Sequence, residues 1–330
     1  MKKYLRRGLA VVLVALAVRC FAAVDPATVS LDYLAHKDFD GRELKLVKVL
    51  AREPGYTRYY ITYKSGDLTI SGIMNVPKGK GPYPVIITNH GFIDARVYTN
   101  GRGLKREQDY LAKRGYVVLH PDYRNHNGSS KDLDNDFRLY TGYIEDVINA
   151  VYAAENSGLK FIAKDKIGML GHSLGGGIAL SIMAVKPGLV KAYVLFAPTS
   201  LDYKDNFERW IARRSPRLEA RVARKFGPPP TRHKIIEKYG SPESNPGFWN
   251  DLSVRTYLDK ISDPVIIHHG TADESVPLAW SEKLASTLKS AGKDVKLYIY
   301  EGEPHEFIKA WPVVMKRSEE FFRRYLKPPT

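Results

Sequence analysis

The fold is decided by one stretch of the sequence, Lys166-Ile167-Gly168-Met169-Leu170-Gly171-His172-Ser173-Leu174-Gly175-Gly176-Gly177-Ile178-Ala179-Leu180. A short apolar run ends in Gly-x-Ser-x-Gly, and a second apolar run, rich in small residues, follows it. This order predicts a strand, a very tight turn and a helix. A serine at the tip of such a turn, here Ser173, is held in a strained conformation with its hydroxyl exposed above the sheet. The pattern therefore predicts a nucleophilic serine.

The glycines and the start of the helix have separate roles in this turn. Gly171 and Gly175 are expected where a Cβ atom would strike the neighbouring strand or helix. The first N–H groups of a helix have no partner within it, so the Leu174 N–H is expected to face a developing oxyanion. A phosphate-binding loop is excluded by spacing, because Gly-x-Gly-x-x-Gly would need a glycine at Leu180.

The N-terminus differs from the rest of the 330-residue chain. Basic residues precede an apolar run at 9–18, and small residues follow at Ala22 and Ala23. This is the order of a secretory signal peptide, and so short an apolar run is not expected to span a bilayer. We expect residues 1–23 to be a signal peptide and the protein to be secreted or periplasmic. An uncleaved anchor is the alternative, and membrane contact is expected only through that segment.

Composition narrows the possible partners. Cys20, the only cysteine, lies in the signal segment, so the mature chain is expected to have neither disulfide nor thiol chemistry. The formal net charge of +15 falls to +10 without that segment, which holds five basic and no acidic residues. A solvated basic surface explains this charge better than a polyanion partner. No recognition helix or RNA-binding motif is present, and we expect no nucleic-acid partner.

The pattern along the chain predicts an α/β fold. Residues 57–64 and 68–76 alternate and are joined by Ser65-Gly66-Asp67, which predicts an antiparallel hairpin. From Val85 onward, apolar strands alternate with helices, as in a mostly parallel sheet with helices on both faces. Strands are predicted at 85–88, 116–119, 167–170, 192–196, 264–268 and 295–300, and helices at 104–114, 137–154, 173–185, 278–290 and 307–326. Residues 24–330 are expected to form one domain.

Residues 201–258 interrupt this alternation. The segment is long, basic and punctuated by Gly227-Pro228-Pro229-Pro230 and Ser241-Pro242. Because a loop of this length without structure would be unusual, we predict a helical cap insertion. Six arginines recur at roughly helical spacing and fit a solvated helix face at least as well as a binding patch: Arg209, Arg213, Arg214, Arg217, Arg221 and Arg224.

A nucleophilic serine needs a base and an acid that orients the base. Asp273 follows an apolar strand and His305 follows the next one, and in a parallel sheet both loops open on the edge that carries the turn at Ser173. We therefore predict Ser173, Asp273 and His305 as the catalytic residues, an order expected for this elbow. Asp202 and Asp205 are the runner-up position for the orienting carboxylate.

The remaining histidines and acids are assigned structural roles. His268 and His269 end a strand, His172 is expected either to face away or to pack against a neighbouring loop, and Glu274 is expected to point away. No histidines pair in a zinc pattern, and no metal or organic cofactor is expected. A second oxyanion donor is expected from the loop after the strand at 85–88, and we choose the Phe92 N–H.

Together these motifs resemble the α/β-hydrolase superfamily, most closely the catalytic domain of the prolyl oligopeptidase group, which includes acylaminoacyl-peptidase-like enzymes and related esterases. The resemblance covers roughly residues 57–326 and is carried by Asn89-His90-Gly91-Phe92, Pro121-Asp122-Tyr123-Arg124, Gly171-His172-Ser173-Leu174-Gly175-Gly176, His269-Gly270-Thr271-Ala272-Asp273 and Pro304-His305. Peptidases of that group carry a β-propeller ahead of this domain, whereas only a few tens of residues precede it here. Similar stand-alone domains are often carboxylesterases, including acetyl-xylan and feruloyl esterases.

We therefore expect an exported serine hydrolase that cleaves carboxylic esters through an acyl-enzyme. The alternative is a serine peptidase or amidase of the prolyl oligopeptidase type acting on short peptides. A non-catalytic binding protein with the same fold is the third possibility. The expected partner is a small ester or short peptide substrate, and the sequence leaves the oligomeric state open.

Overall fold

The structure is a computed structural model that describes residues 24–211 and 232–327. The predicted signal peptide at 1–23 lies outside these ranges. So do the Gly-Pro-Pro-Pro stretch of the predicted cap and five of its six arginines, all within 212–231. Among the described residues, no helix is both long and apolar enough to cross a membrane.

The described chain forms one nine-stranded sheet with the order β1-β2-β3-β5-β4-β6-β7-β8-β9. The pairs β1–β2, β2–β3 and β3–β5 are antiparallel, and the other five pairs are parallel. The predicted α/β class with an antiparallel N-terminal hairpin is confirmed. The strands are β1 Arg42–Arg52, β2 Tyr56–Ser65, β3 Leu68–Pro77, β4 Tyr83–Asn89, β5 Val117–Pro121, β6 Ile162–His172, β7 Tyr193–Phe196, β8 Val265–Gly270 and β9 Val295–Tyr300.

Helices connect the parallel strands. They are α1 Leu31–His36, α2 Lys105–Ala112, α3 Thr141–Glu155, α4 Leu174–Val185, α5 Tyr203–Asn206, α6 Arg232–Tyr239, α7 Pro246–Asp251, α8 Leu278–Ser290 and α9 Trp311–Leu326. Short 3₁₀ helices at Pro26–Thr28 and Val254–Lys260 and a π-helical turn at Phe207–Ile211 complete them. The described parts of the predicted cap, 201–211 and 232–258, contain α5, α6 and α7.

Two helices begin later than the sequence pattern predicted. The patterns placed their starts at 137 and 307, whereas α3 begins at Thr141 and α9 at Trp311. The reason is local backbone geometry. Tyr140 has φ 66° and Phe307 has φ 46°, and neither value is compatible with a right-handed helix.

Both faces of the sheet are covered, so its parallel strands are apolar throughout. Along β4, Val85 and Ile87 pack into a core cluster with α3 and α4, whereas Ile86 packs on the opposite face with α2 and α9. All three side chains are fully buried. This burial explains why these strands read as continuous apolar runs instead of alternating ones.

The parallel direction of the strands brings the predicted site residues to one edge of the sheet. Phe92 follows β4, Ser173 follows β6, Asp273 follows β8 and His305 follows β9. The carboxyl ends of parallel strands meet at the same edge, which is where α/β sheets bind ligands.

Candidate active site

Ser173 lies at the tip of a strained turn between β6 and α4. Its backbone has φ 56° and ψ −119°, a conformation that a residue with a side chain rarely adopts. Its N–H donates a hydrogen bond to the carbonyl of Phe196 in β7, at 2.9 Å. The predicted elbow geometry is confirmed, and Ser173 lines a cavity of the described chain.

Close backbone contacts around the turn require its glycines. A Cβ atom at Gly171 would lie 2.3 Å from the Gly175 carbonyl oxygen, and one at Gly175 would lie 2.1 Å from the Asn89 carbonyl oxygen. The expectation that any side chain would clash at these two positions is therefore confirmed. These contacts hold the first turn of α4 directly against the ends of β4 and β6.

Asp273 and His305, predicted from two separate strands, are in direct contact. His305 Nδ1 lies 2.7 Å from Asp273 Oδ2. The other oxygen of Asp273 accepts hydrogen bonds from the Ser275 and Val276 N–H groups, each at 2.8 Å. The carboxylate is almost fully buried, so its orientation relative to the imidazole is set by these partners.

The environment of Asp273 favours its ionised form. Burial by itself would raise the pKa of this carboxyl group, but hydrogen bonds from His269, His305 and the Val276 N–H outweigh burial and hold its pKa well below the usual range. The carboxylate therefore remains charged at neutral pH. A charged carboxylate can hold the Nδ1–H of His305 and leave Nε2 free to accept a proton.

His269, predicted to be structural, lies in contact with Asp273. This fully buried ring lies 3.2 Å from Asp273 through Nε2, which is also 3.0 Å from the Val276 carbonyl oxygen. Its Nδ1 is 2.7 Å from the Ser281 hydroxyl. Because a carbonyl oxygen only accepts, Nε2 carries a hydrogen. His269 thus gives Asp273 a second histidine neighbour, four residues away in the sequence.

His172, next to the nucleophile, supports the loop that carries His305. Its Nε2 lies 3.1 Å from the His305 carbonyl oxygen, and the two ring centroids are 4.4 Å apart. Burial lowers the pKa of His172 to about 3, so this ring is neutral at physiological pH. The expectation that His172 packs against a neighbouring loop is confirmed.

Ser173 and His305 line the same cavity, which has a volume of about 610 Å³. No residue in the described part of the chain, His305 included, forms a hydrogen bond with the Ser173 hydroxyl. In hydrolases this contact often tightens only when substrate binds. Ser173, the predicted nucleophile, and His305, the predicted base, therefore line one cavity, and Asp273 holds His305 in place.

The backbone of the loop after β4 passes beside Ser173. A Cβ atom at Gly91 would lie 3.1 Å from the Cβ of Ser173, so this backbone runs directly along the serine. His90 Nδ1 is 2.7 Å from the Gly91 carbonyl oxygen. In a trans peptide the C=O and the next N–H point in opposite directions. Holding the Gly91 carbonyl therefore fixes the direction of the Phe92 N–H, the predicted oxyanion donor.

The protonation of His90 follows from its burial. Burial lowers the pKa of His90 well below its usual range, so the ring is neutral and carries a single N–H. The short contact to a carbonyl oxygen places that hydrogen on Nδ1. The ring is stacked between Tyr98 and Tyr123, with centroid distances of 4.9 and 4.2 Å. These aromatic neighbours hold the imidazole plane in place.

Asp122 anchors the segment that covers His90. This buried carboxylate accepts hydrogen bonds from the Ser71 and Tyr98 hydroxyls, the Asn100 amide and the Gly101 N–H, at 2.6 to 2.9 Å. The Pro-Asp-Tyr-Arg motif after β5 is therefore part of the scaffold behind the oxyanion loop, a role that its sequence alone did not indicate.

The other candidate acids have separate positions. Asp202 pairs with Lys283 and Arg255, and Asp205 accepts a hydrogen bond from the Ser200 hydroxyl. The runner-up position therefore has its own partners.

Glu274 was expected to point away, and this is wrong: its carboxylate accepts a hydrogen bond from the His305 N–H at 3.2 Å and lines the cavity. The tight turn after Asp273 brings both neighbouring acids to the same loop. Within 24–211 and 232–327, no group of three histidine, cysteine or acidic residues could hold a metal ion.

Two family models match the sequence. One describes the α/β hydrolase fold and matches residues 84–247, and the other describes the prolyl oligopeptidase family and matches residues 231–329. This chain belongs to the α/β-hydrolase superfamily. The hydrolase is 24% identical over 267 residues to dipeptidyl aminopeptidase BIII of Pseudoxanthomonas mexicana, covering 79% of this chain and 35% of that protein. It thus spans little more than a third of that relative.

Solved structures with similar folds come from peptidases and esterases. An acylaminoacyl peptidase from Pyrococcus horikoshii aligns with a TM-score of 0.64 and 23% identity, covering 84% of the hydrolase and 42% of that chain. Acetyl xylan esterase 1 from Thermoanaerobacterium sp. JW/SL YS485 aligns with a TM-score of 0.60 and 19% identity, covering 91% of the hydrolase and 92% of that chain. At these identities the likeness shows the fold.

A first prediction concerns the orienting carboxylate. Asp273→Asn is expected to lower kcat by about 10⁴-fold, because the amide favours the wrong imidazole tautomer. Asp202→Asn is the matched control and is expected to change kcat by less than about fivefold, since ion pairs with the half-exposed Arg255 and Lys283 contribute little. Steady-state kinetics on a p-nitrophenyl ester measures both variants. A large loss in Asp202→Asn with normal turnover in Asp273→Asn would assign the role to Asp202.

A second prediction concerns the oxyanion loop. His90→Phe keeps the stacking but removes the N–H that holds the Gly91 carbonyl. We expect kcat to fall about 10- to 100-fold with little change in KM. This loss is smaller than the ~10²–10³-fold loss of kcat that follows complete removal of an oxyanion donor.

His120→Phe is the control for this prediction. His120 is buried in the same cluster, 5.4 Å from the His90 ring, but it contacts the Thr88 hydroxyl and the Arg102 carbonyl oxygen and not the Gly91 carbonyl. We expect it to keep kcat within about threefold once unfolding curves show both variants folded. Equal losses of kcat in the two variants would contradict a specific role for His90.

Proposed function

We propose that this hydrolase cleaves carboxylic esters through a serine acyl-enzyme. The observation that carries the proposal is that His305 lines the same cavity as the strained Ser173 and lies 2.7 Å from a buried, ionised Asp273 behind it. A strained serine backbone costs stability, and a histidine held by a carboxylate is not needed for folding. Together they are typical of nucleophilic catalysis. This combination also argues against a non-catalytic binding protein.

The proposed reaction has two steps. Ser173 Oγ attacks the ester carbonyl carbon as His305 Nε2 takes its proton, and the Leu174 and Phe92 N–H groups stabilise the oxyanion. The bond to the alcohol oxygen then breaks, and His305 returns the proton to the departing alcohol. Water next attacks the acyl-enzyme with His305 as base, which releases the carboxylic acid and restores Ser173. Asp273 holds the imidazole and stabilises its charged form throughout.

Ester substrates are supported by the structural likeness to acetyl xylan esterase 1, of whose chain the hydrolase covers 92%. The match of residues 231–329 to the prolyl oligopeptidase family supports the second candidate, a serine peptidase or amidase acting on short peptides.

The two candidates are separated by a matched substrate panel. We expect kcat/KM for p-nitrophenyl esters to exceed that for aminoacyl-p-nitroanilides by at least 10³-fold, and Ser173→Ala to abolish both activities. A fluorophosphonate probe should label the wild type and not this variant. Faster turnover of anilides than of esters would favour the peptidase, and the absence of any Ser173-dependent turnover would favour a binding protein.

We also propose that the protein is exported, on the basis of the charged, apolar and small-residue order within residues 1–23. When the full sequence is expressed in a Gram-negative bacterium, we expect the enzyme in the periplasmic fraction with a new N-terminus near residue 23 or 24. Intact-mass measurement and N-terminal sequencing check this. A full-length protein in the cytoplasmic fraction would contradict export, and a full-length protein in the membrane fraction would indicate an anchor.

A further inference from the structure

The cavity beside Ser173 extends along one face of α4. Leu174, Gly177, Ile178 and Ser181 all line it, and this spacing places them on the same side of the helix. From Leu174 to Ser181 the helix rises about 10 Å. The cavity therefore runs from the start of α4, at the nucleophile, well along the helix into the protein.

Three other elements supply apolar walls for this part of the cavity. They contribute Leu31 from α1, Ile144 from α3 and Val254 from the 3₁₀ helix Val254–Lys260, and all three residues are buried. These three elements pack against α4. A hydrocarbon chain that lies here would leave water along its whole length, which favours its binding.

Three hydroxyl groups of the walls already donate hydrogen bonds within the protein. The Ser181 hydroxyl donates to a carbonyl oxygen one turn earlier in α4 (2.9 Å), and the Thr141 hydroxyl to one three residues earlier (2.8 Å). The Tyr203 hydroxyl donates to the Leu139 carbonyl oxygen at 2.7 Å. These three donors are therefore not available to replace the hydrogen bonds that a sugar or peptide group would lose to water here.

The position of the base decides which half of the ester enters this part of the cavity. His305 belongs to the loop after β9, whereas the apolar walls come from α1, α3 and α4. In the proposed mechanism His305 protonates the departing alcohol, so the alcohol must lie beside that loop. The acyl group is attached to the other side of the same carbonyl carbon and is directed along α4.

We propose that this cavity binds an unbranched, uncharged acyl chain of about six to eight carbons. An extended hydrocarbon chain lengthens by somewhat less than one C–C bond, about 1.5 Å, for each carbon. About 10 Å of cavity along the helix therefore accommodates a chain of this length. This inference rests on the proposed esterase function and names its substrate class. Medium-chain acyl esters are then the preferred substrates, ahead of acetyl esters of sugars.

An isomeric pair of substrates tests the proposal without any change to the protein. Ethyl octanoate and octyl acetate have the same composition but carry the long chain on opposite sides of the ester. Each buried methylene is worth up to about fourfold in kcat/KM, so we expect at least a tenfold preference for ethyl octanoate. Titration of the released acid at matched concentrations gives both values.

The outcomes separate this inference from the proposed function. Ser173-dependent hydrolysis of both isomers at equal rates, or a preference for octyl acetate, would overturn the acyl-chain assignment and leave the esterase function standing. If neither isomer nor any p-nitrophenyl ester is hydrolysed in a Ser173-dependent manner, the assignment and the esterase function both fail.

A variant tests the location of the acyl chain. Ser181→Leu places a branched side chain in the cavity about 10 Å along α4 from its start. We expect kcat/KM for p-nitrophenyl octanoate to fall at least tenfold, and that for p-nitrophenyl acetate to change less than threefold. Ser286→Leu is the matched control, because Ser286 is exposed on α8 and also donates to a carbonyl in the preceding turn.

The control and the folding check complete this test. Ser286→Leu is expected to leave the whole chain-length profile unchanged. If Ser181→Leu keeps the wild-type unfolding midpoint and loses activity equally on acetate and octanoate, the chain does not lie along α4 and the proposal is overturned. The wild-type comparison of the two isomers decides the question if this variant does not fold.

Discussion

The site depends on the close approach of the α4 N-terminus to the ends of β4 and β6. This approach forces Ser173 into a left-handed backbone conformation, and such strain typically costs about 1–3 kcal/mol. The cost can be sustained because α4 and the sheet are buried in a large core on both sides of the turn. Even one methyl group at Gly171 or Gly175 would separate the two elements. The nucleophile is therefore exposed by the same packing that stabilises the domain.

Histidines around the site are distinguished by burial and partners. His90, His172 and His268 are buried, and burial lowers the pKa of each, so these rings act as neutral hydrogen-bonding groups. Only a histidine with an ionised carboxylate at Nδ1 and access to a cavity can accept a proton and carry the resulting charge. His305 meets both conditions. His269 also contacts Asp273, but its ring is fully buried, and its two nitrogens contact Ser281 and Val276.

The cavity combines a polar end and an apolar interior. Its polar end is built from loops that follow the strands, where backbone N–H groups and His305 are available for chemistry. Its interior is lined by helices, and the Thr141 and Ser181 hydroxyls there donate to nearby backbone carbonyls. The candidate catalytic groups therefore lie on loops, and the helices form the apolar walls. Functional residues in α/β folds are often placed on loops in this way.

Local patterns in the sequence determined the fold class, the strand order along the chain, the elbow at Ser173 and the pairing of Asp273 with His305. These features rest on short-range chemistry: apolar runs, glycines where no Cβ fits, and acids or histidines at strand ends. Only the tertiary structure decided what lies beside them. His269 and Glu274 contact Asp273 and His305, His90 holds the Gly91 carbonyl, and Leu31 lines the cavity. These contacts join residues through packing across the sheet, and no periodicity or spacing along the chain encodes such distances. The starts of α3 and α9 were misplaced for a related reason, since the left-handed residues before them are imposed by their surroundings and not by residue type.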